Sequence, residues 1–113
     1  MRTLTILTVL FILTACQTTP AIDIQAETRA LLAADRAFAE LSAASTPKNA
    51  FATYMAPDGM MMPAASDGPV EGHDNVVAMF GPDGDPGYRL LWQPQFAEVA
   101  SAADMGWTWG QYQ

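Results

Sequence analysis

The sequence predicts an α+β domain in which helices come first and antiparallel strands follow. Residues 26–45 are rich in helix-forming side chains and place apolar residues at helical spacing. Residues 88–100 and 107–112 are instead strand-like and carry several aromatic side chains. Stretches rich in glycine and proline separate these segments. A chain of 113 residues has room for one such domain.

The first 15 residues predict a secretory signal peptide. One basic residue, Arg2, precedes an uncharged run that is too short to span a bilayer. The run ends in Leu13-Thr14-Ala15-Cys16, which resembles the lipobox of bacterial lipoproteins. The resemblance implies cleavage before Cys16 and lipidation of its sulfur, so that several acyl chains anchor the protein to a membrane. An ordinary signal peptide with an incidental cysteine is the alternative.

The residues around the cysteine also predict a location. Gln17 follows Cys16, and the sorting rule of enteric lipoproteins then favours the periplasmic face of the outer membrane over the inner membrane. Residues 16–25 form a polar tether. Cys16 is the only cysteine, so its lipidation leaves no thiol for a disulfide or a nucleophile. The formal net charge of −7 disfavours nucleic acid as a partner.

The domain at residues 26–113 begins with the helices. One face of the first helix is predicted to be apolar, with Leu31, Ala34, Phe38 and Leu41. The opposite face is predicted to be charged, with Arg29, Arg36 and Glu40. Thr46 and Pro47 predict the cap and first position of a second helix, KNAFATYM at 48–55. A short strand, MMMP at 60–63, then precedes a third helix, HDNVVAMF at 73–80.

Two strands complete the predicted order. A loop with two prolines and three glycines, GPDGDPG, leads into the strand-like segment 88–100. Pro94 interrupts that segment, which predicts an edge position or a β-bulge. The hairpin connection SAADMG at 101–106 joins it to the last strand, WTWGQY.

This order of elements resembles the DUF4440 (SnoaL-like) family of the NTF2-like superfamily, to which nuclear transport factor 2 and ketosteroid isomerase belong. The residues that carry the resemblance most strongly lie in the two strand segments: Trp92, Pro94, Ala97, Glu98, Val99, Asp104, Gly106 and Gly110. It implies a cone, with N-terminal helices packed on a curved antiparallel sheet around an apolar pocket. Relatives continue through further strands, so the resemblance also implies that the last strands are missing after Gln113.

A pocket is the main functional prediction. Met60 and Met62 share one face of the short strand, where they are expected to line the pocket rather than bind copper. Trp107 and Trp109 also share a face and could stack on a flat ligand or pack against the first helix. The full predicted lining is Phe38, Tyr54, Met60, Met62, Trp92, Trp107 and Trp109. This prediction of a pocket requires that the methionines are shielded from solvent and that the segments of Trp92 and Trp107 pair as β-strands.

Catalysis is a secondary prediction. Steroid isomerases that resemble this sequence carry an aspartate just before a proline on the early strand, and Met62 stands there instead. Asp35 and Tyr54 remain as candidates for proton transfer, although a carboxylate beside an apolar face more often bonds a neighbouring group. His73 is interpreted as a helix-start residue beside Asp74. With one histidine and no free thiol, no metal or cofactor is predicted.

The leading hypothesis is a lipid-anchored periplasmic domain that binds a small apolar or amphipathic ligand. The first alternative is a proton-transfer enzyme of isomerase or hydrolase type that uses a pocket carboxylate. The second alternative is a scaffold that forms homodimers through its sheet.

Overall fold

The structure, a computed structural model, describes residues 21–63 and 67–113, which form an α+β architecture as the sequence predicts. The signal segment and Cys16 lie outside these residues. The strands form two separate antiparallel pairs, β1–β2 and β3–β4. In chain order the elements are α1 (Ile24–Ala44), α2 (Pro47–Tyr54), β1 (Met60–Met61), β2 (Val70–Glu71), α3 (His73–Ala78), β3 (Trp92–Val99) and β4 (Gly106–Tyr112).

The N-terminal end of α1 is set by a side-chain cap. The helix begins at Ile24 rather than at the predicted Ala26, because the Asp23 carboxylate accepts a hydrogen bond from the Ala26 backbone N–H at 3.0 Å. Such a cap satisfies one of the amide groups that the first turn leaves without a partner. Within residues 21–63 and 67–113, no helix has the length and apolar character needed to cross a membrane.

The C-terminal end of α1 is held by residues from far along the chain. The fully buried Ser42 hydroxyl donates to the Leu90 carbonyl at 2.8 Å. The Arg89 guanidinium donates to the carbonyls of Ala43 and Ser45, both at 3.2 Å, which places a cation at the negative end of the helix dipole. These bonds fix the start of β3 against the last turn of α1.

The short helix α2 follows the predicted capping, whereas α3 has no side-chain cap. Thr46 accepts a hydrogen bond from the Asn49 backbone N–H at 3.1 Å, and Pro47 occupies the first turn of α2. Gly72 precedes α3 with φ of 85°, a conformation that glycine adopts without a steric penalty. The strand β2, which pairs with β1, was not predicted, because two residues are too few to show an alternating pattern.

Strands β3 and β4 form an antiparallel hairpin with an irregularity at the predicted place. The register shifts between Pro94 and Phe96, so the prediction of an edge or bulge at Pro94 is confirmed as a bulge. The bulge lets Pro94 and Ala97 both be buried although they are three residues apart. Gly106 on β4 permits close approach, since a Cβ there would lie 2.6 Å from Leu31 Cδ2 on α1.

Small side chains and a group of rings share the interior. The fully or nearly fully buried positions are Ala39, Ser42, Pro47, Ala50, Val76, Pro94 and Ala97. Phe38 on α1 lies at the centre of the rings, with centroid distances of 4.9 Å to Phe51, 5.0 Å to Tyr54 and 4.8 Å to Trp92. These rings join α1, α2 and β3 into one packed unit.

Candidate functional site

The best candidate for a binding site is a groove of about 510 Å³ between α1 and the open end of the β3–β4 hairpin. Its volume lies in the range of about 300–1,000 Å³ that is typical of small-molecule sites. At this end, opposite the turn, two backbone hydrogen bonds join Leu91 to Gln113, and the shorter of them is 2.7 Å. We call this site the α1–hairpin groove, and its lining consists of Arg36, Ala39, Glu40, Ala43, Leu91, Trp92, Gln93, Pro94, Gln111 and Gln113.

The helix side of the groove follows from residue spacing. Arg36 and Glu40 are four residues apart, as are Ala39 and Ala43, so the four residues lie along one stripe of α1. The two alanines leave space above the helix backbone. The Arg36 and Glu40 side chains are exposed and stand one turn apart, so the stripe carries both a positive and a negative charge.

The hairpin side of the groove combines apolar surface with neutral amides. Leu91, Trp92 and Pro94 supply the apolar surface. The polar part consists of Gln93, Gln111 and Gln113, whose amide groups can donate and accept hydrogen bonds. The lining of the groove thus combines apolar and polar groups, which suits a molecule with an apolar part and a polar head.

Trp92 is held in place from two directions. Its ring packs edge-on against Phe38, and its indole N–H donates to Asp35 Oδ1 at 2.9 Å. A buried indole N–H usually needs such an acceptor. The wall of the groove is therefore a positioned ring rather than a mobile one.

The two catalytic candidates are not brought together. Asp35 accepts the Trp92 hydrogen bond, while Tyr54 stacks on Phe38 and is 42% exposed. In the described part of the chain, no hydrogen bond joins Asp35 to Tyr54, and neither residue lines the α1–hairpin groove. The sequence leaves two roles for Asp35, proton transfer or a hydrogen bond to a neighbouring group. Its contact with the indole N–H corresponds to the second.

The predicted pocket lining divides into a set of packed rings, of which Tyr54 is itself 42% exposed, and a set of exposed side chains. Phe38, Tyr54 and Trp92 meet in the ring cluster, and Trp92 alone of the predicted set lines the α1–hairpin groove. Met60 and Met62 are 56% and 72% exposed, so the requirement of sheltered methionines is not met at these two positions. The strand β1 pairs with the two-residue β2, and of its two side chains Met60 is exposed and Met61 is half-buried.

Trp107 and Trp109 lie on the side of the hairpin that faces away from α1. They are 48% and 50% exposed, and Phe96 at 43% shares this face, with its ring 5.5 Å from that of Trp107. The segments of Trp92 and Trp107 do pair, as required. Because Gly106 and Thr108 take the positions facing α1, the alternation of the strand puts both indoles outside. We call Phe96, Trp107 and Trp109 the outer aromatic face.

A second hollow of about 530 Å³ lies beside α3 and includes His73. The His73 ring contacts two acceptors, Asp74 Oδ1 at 2.8 Å from Nδ1 and the Ala52 carbonyl at 2.9 Å from Nε2. A neutral imidazole can donate to only one of them. The bond to the Ala52 carbonyl, followed by the bond to Asp74, therefore raises the pKa of His73 above its ordinary value of 6.5.

The last feature to consider is a possible metal site. Within residues 21–63 and 67–113, no three His, Cys, Asp or Glu side chains come close enough to share a metal ion. Comparisons of the chain with protein-family models, with curated proteins and with solved structures gave no match.

Sequence reasoning missed most of the groove. It assigned Arg36 and Glu40 to a charged face of the first helix and did not connect them with the three glutamines of the hairpin. The available signal was weak, namely two alanines that alternate with two charged residues on one helical stripe. The stripe lines a groove only because the hairpin lies opposite it.

Proposed function

We propose that this protein is a lipid-anchored envelope protein whose domain binds a small amphipathic molecule in the α1–hairpin groove. The observation that carries the proposal is the groove itself, which places apolar surface from Trp92, Leu91 and Pro94 beside charged and amide groups. An amphipathic molecule can bury its apolar part there while its polar head stays at the rim. Anchoring through Cys16 on the periplasmic face of the outer membrane belongs to the same proposal and rests on the lipobox-like sequence.

The finer fold is also part of the proposal. Helices that precede a β-hairpin, with α1 packed across one side of it, are what an NTF2-like cone would contribute from this part of its chain. The bulge at Pro94 supports the idea, because bulges increase the local bend and twist of a sheet. A solved structure in which β3 and β4 form a flat sheet would contradict it.

Filling the groove tests the binding site. Ala43 lines the groove and is exposed, so Ala43→Trp should occupy its space without disturbing the interior. Ala33 is also exposed on α1 but does not line the groove, so Ala33→Trp is the matched control. The probe is n-octylphosphocholine below its micelle concentration, followed through the NMR signal of the Trp92 indole N–H in the purified full-length protein.

We expect Ala43→Trp to abolish saturable shifts of the Trp92 signal and Ala33→Trp to keep them. Equal dissociation constants in the two variants would show that the probe binds elsewhere. The Trp92 signal also separates binding in the groove from binding of the probe elsewhere on the protein.

A second candidate function is a scaffold that dimerises through the outer aromatic face. Three large apolar side chains that α1 does not cover favour it, since exposed apolar patches often mark interaction sites. Sedimentation of the double variant Trp107→Ser/Trp109→Ser should show less dimer than the unmodified protein. Tyr112→Ser is the control, because Tyr112 is an exposed aromatic residue outside this face. An unmodified protein that stays monomeric at all concentrations would contradict the scaffold.

A further inference from the structure

The two charges on the wall of the α1–hairpin groove suggest what kind of molecule it holds. We infer that the occupant is a single-chain zwitterionic amphiphile, with the negative centre of its head group at Arg36 and the positive centre at Glu40. This inference rests on the proposed function, because it names the ligand class of the same groove.

The first support is that both charges are available. Arg36 and Glu40 line the groove, and in the part of the chain that the structure describes neither takes part in an ion pair or a side-chain hydrogen bond. Two other cations are engaged: the Lys48 ammonium lies 2.9 Å from Asp83, and Arg89 binds carbonyls at the end of α1. Arg29 is exposed like Arg36, but it lies outside the groove. The groove therefore presents an unpaired guanidinium and an unpaired carboxylate together.

The second support is charge complementarity. A ligand with only a negative charge would meet Arg36 favourably and Glu40 unfavourably, and a ligand with only a positive charge would meet the reverse. Residues four apart on a helix have Cβ atoms about 5–6 Å from each other, so one small head group can reach both side chains. Only a head group with both charges gains at both positions.

The third support is the neutral remainder of the lining. The hairpin side chains in the lining that carry polar groups, Gln93, Gln111 and Gln113, are neutral amides, so none of these side chains favours either sign. The floor, formed by Ala39, Leu91 and Trp92, offers apolar surface next to the charged stripe. An alkyl chain on this floor leaves the head group at the rim, where both charges stand.

Four single-chain probes with the same tail test the inference: n-octylphosphocholine, n-octyl sulfate, n-octyltrimethylammonium and n-octanol. Each is titrated below its micelle concentration into the purified full-length protein, with the Trp92 indole N–H signal as readout. The variants Arg36→Gln and Glu40→Gln remove one charge each. Arg29→Gln and Glu27→Gln are their controls, since both parent residues lie on α1 outside the groove.

We expect n-octylphosphocholine to bind roughly two- to five-fold more tightly than each other probe, the range that exposed ion pairs supply. Arg36→Gln should remove its advantage over the cationic probe, and Glu40→Gln its advantage over the anionic probe. The controls should keep both advantages. Equal affinity for all four probes would overturn the inference and leave the groove as a binding site. Failure of every probe to shift the Trp92 signal would overturn the proposed function as well.

Discussion

The two faces of the β3–β4 hairpin differ in what covers them. The inner face places small or fitted residues against α1, including Pro94, Ala97 and Gly106, and Trp92 is the one indole that turns inward. The outer aromatic face leaves Phe96, Trp107 and Trp109 about half exposed. Of the large aromatic side chains of the hairpin, Trp92 therefore packs in the interior, whereas Phe96, Trp107 and Trp109 do not. Their exposure makes them candidates for intermolecular contact instead.

The largest expected effect separates two phenylalanines on opposite sides of this comparison. Phe38→Ala removes the ring that joins α1, α2 and β3, so we expect a loss of about 3–5 kcal/mol in the free energy of unfolding. Phe96→Ala on the outer face should cost about 1 kcal/mol or less, since Phe96 is already 43% exposed. Urea denaturation of both variants measures the difference. Equal losses would mean that the outer face contributes as much to stability as the interior.

A smaller effect is expected at the bond that places the inner face. Ser42→Ala removes the buried hydroxyl that donates to the Leu90 carbonyl, and we expect a loss of about 1–3 kcal/mol. Thr53→Ala is the control, because the exposed Thr53 hydroxyl bonds only to Asn49 within its own helix. Its change should stay within about 0.5 kcal/mol. If thermal or urea unfolding shows no difference between the two variants, the Ser42 bond does not fix the hairpin.

The contact between Asp35 and Trp92 can be isolated with a double-mutant cycle. Trp92→Phe removes the indole N–H, Asp35→Ala removes the acceptor, and the double variant removes both. We expect a coupling energy of about 0.5–3 kcal/mol. Urea denaturation of the three variants gives this value. A coupling of zero would free Asp35 from its structural role and renew its candidacy as a general base.

The smallest effect is expected outside both faces, at His73. Because its folded-state pKa is raised, the stability it contributes is complete below about pH 6.5 and disappears as pH rises through the raised value. Unfolding midpoints measured between pH 6 and 8 should therefore fall with pH, and His73→Gln should flatten this part of the profile. Lys48 lowers the pKa of Asp83, whose contribution is lost only as pH falls in the acid range. A slope that persists in His73→Gln would assign it to another group.

Much of the fold could be predicted because its signals are local. The cap at Thr46, the proline at the first position of α2 and the bulge at Pro94 depend on residues within a few positions of each other. The strand β2 escaped prediction because it has only two residues. The candidate site was predicted only at Trp92, since the rest of the groove depends on contacts between distant segments.

The sequence by itself determined the order of the three helices and of the two hairpin strands, the cap of α2, and which side chains share a strand face. Only the tertiary structure decided which face meets α1, because alternation groups residues without saying which group is covered. Trp107 and Trp109 therefore share a face as predicted, yet the covered side belongs to Gly106 and Thr108. Arg36 and Glu40 likewise line a groove only because long-range hydrogen bonds of Ser42 and Arg89 hold the hairpin beside α1. No local sequence pattern encodes these bonds.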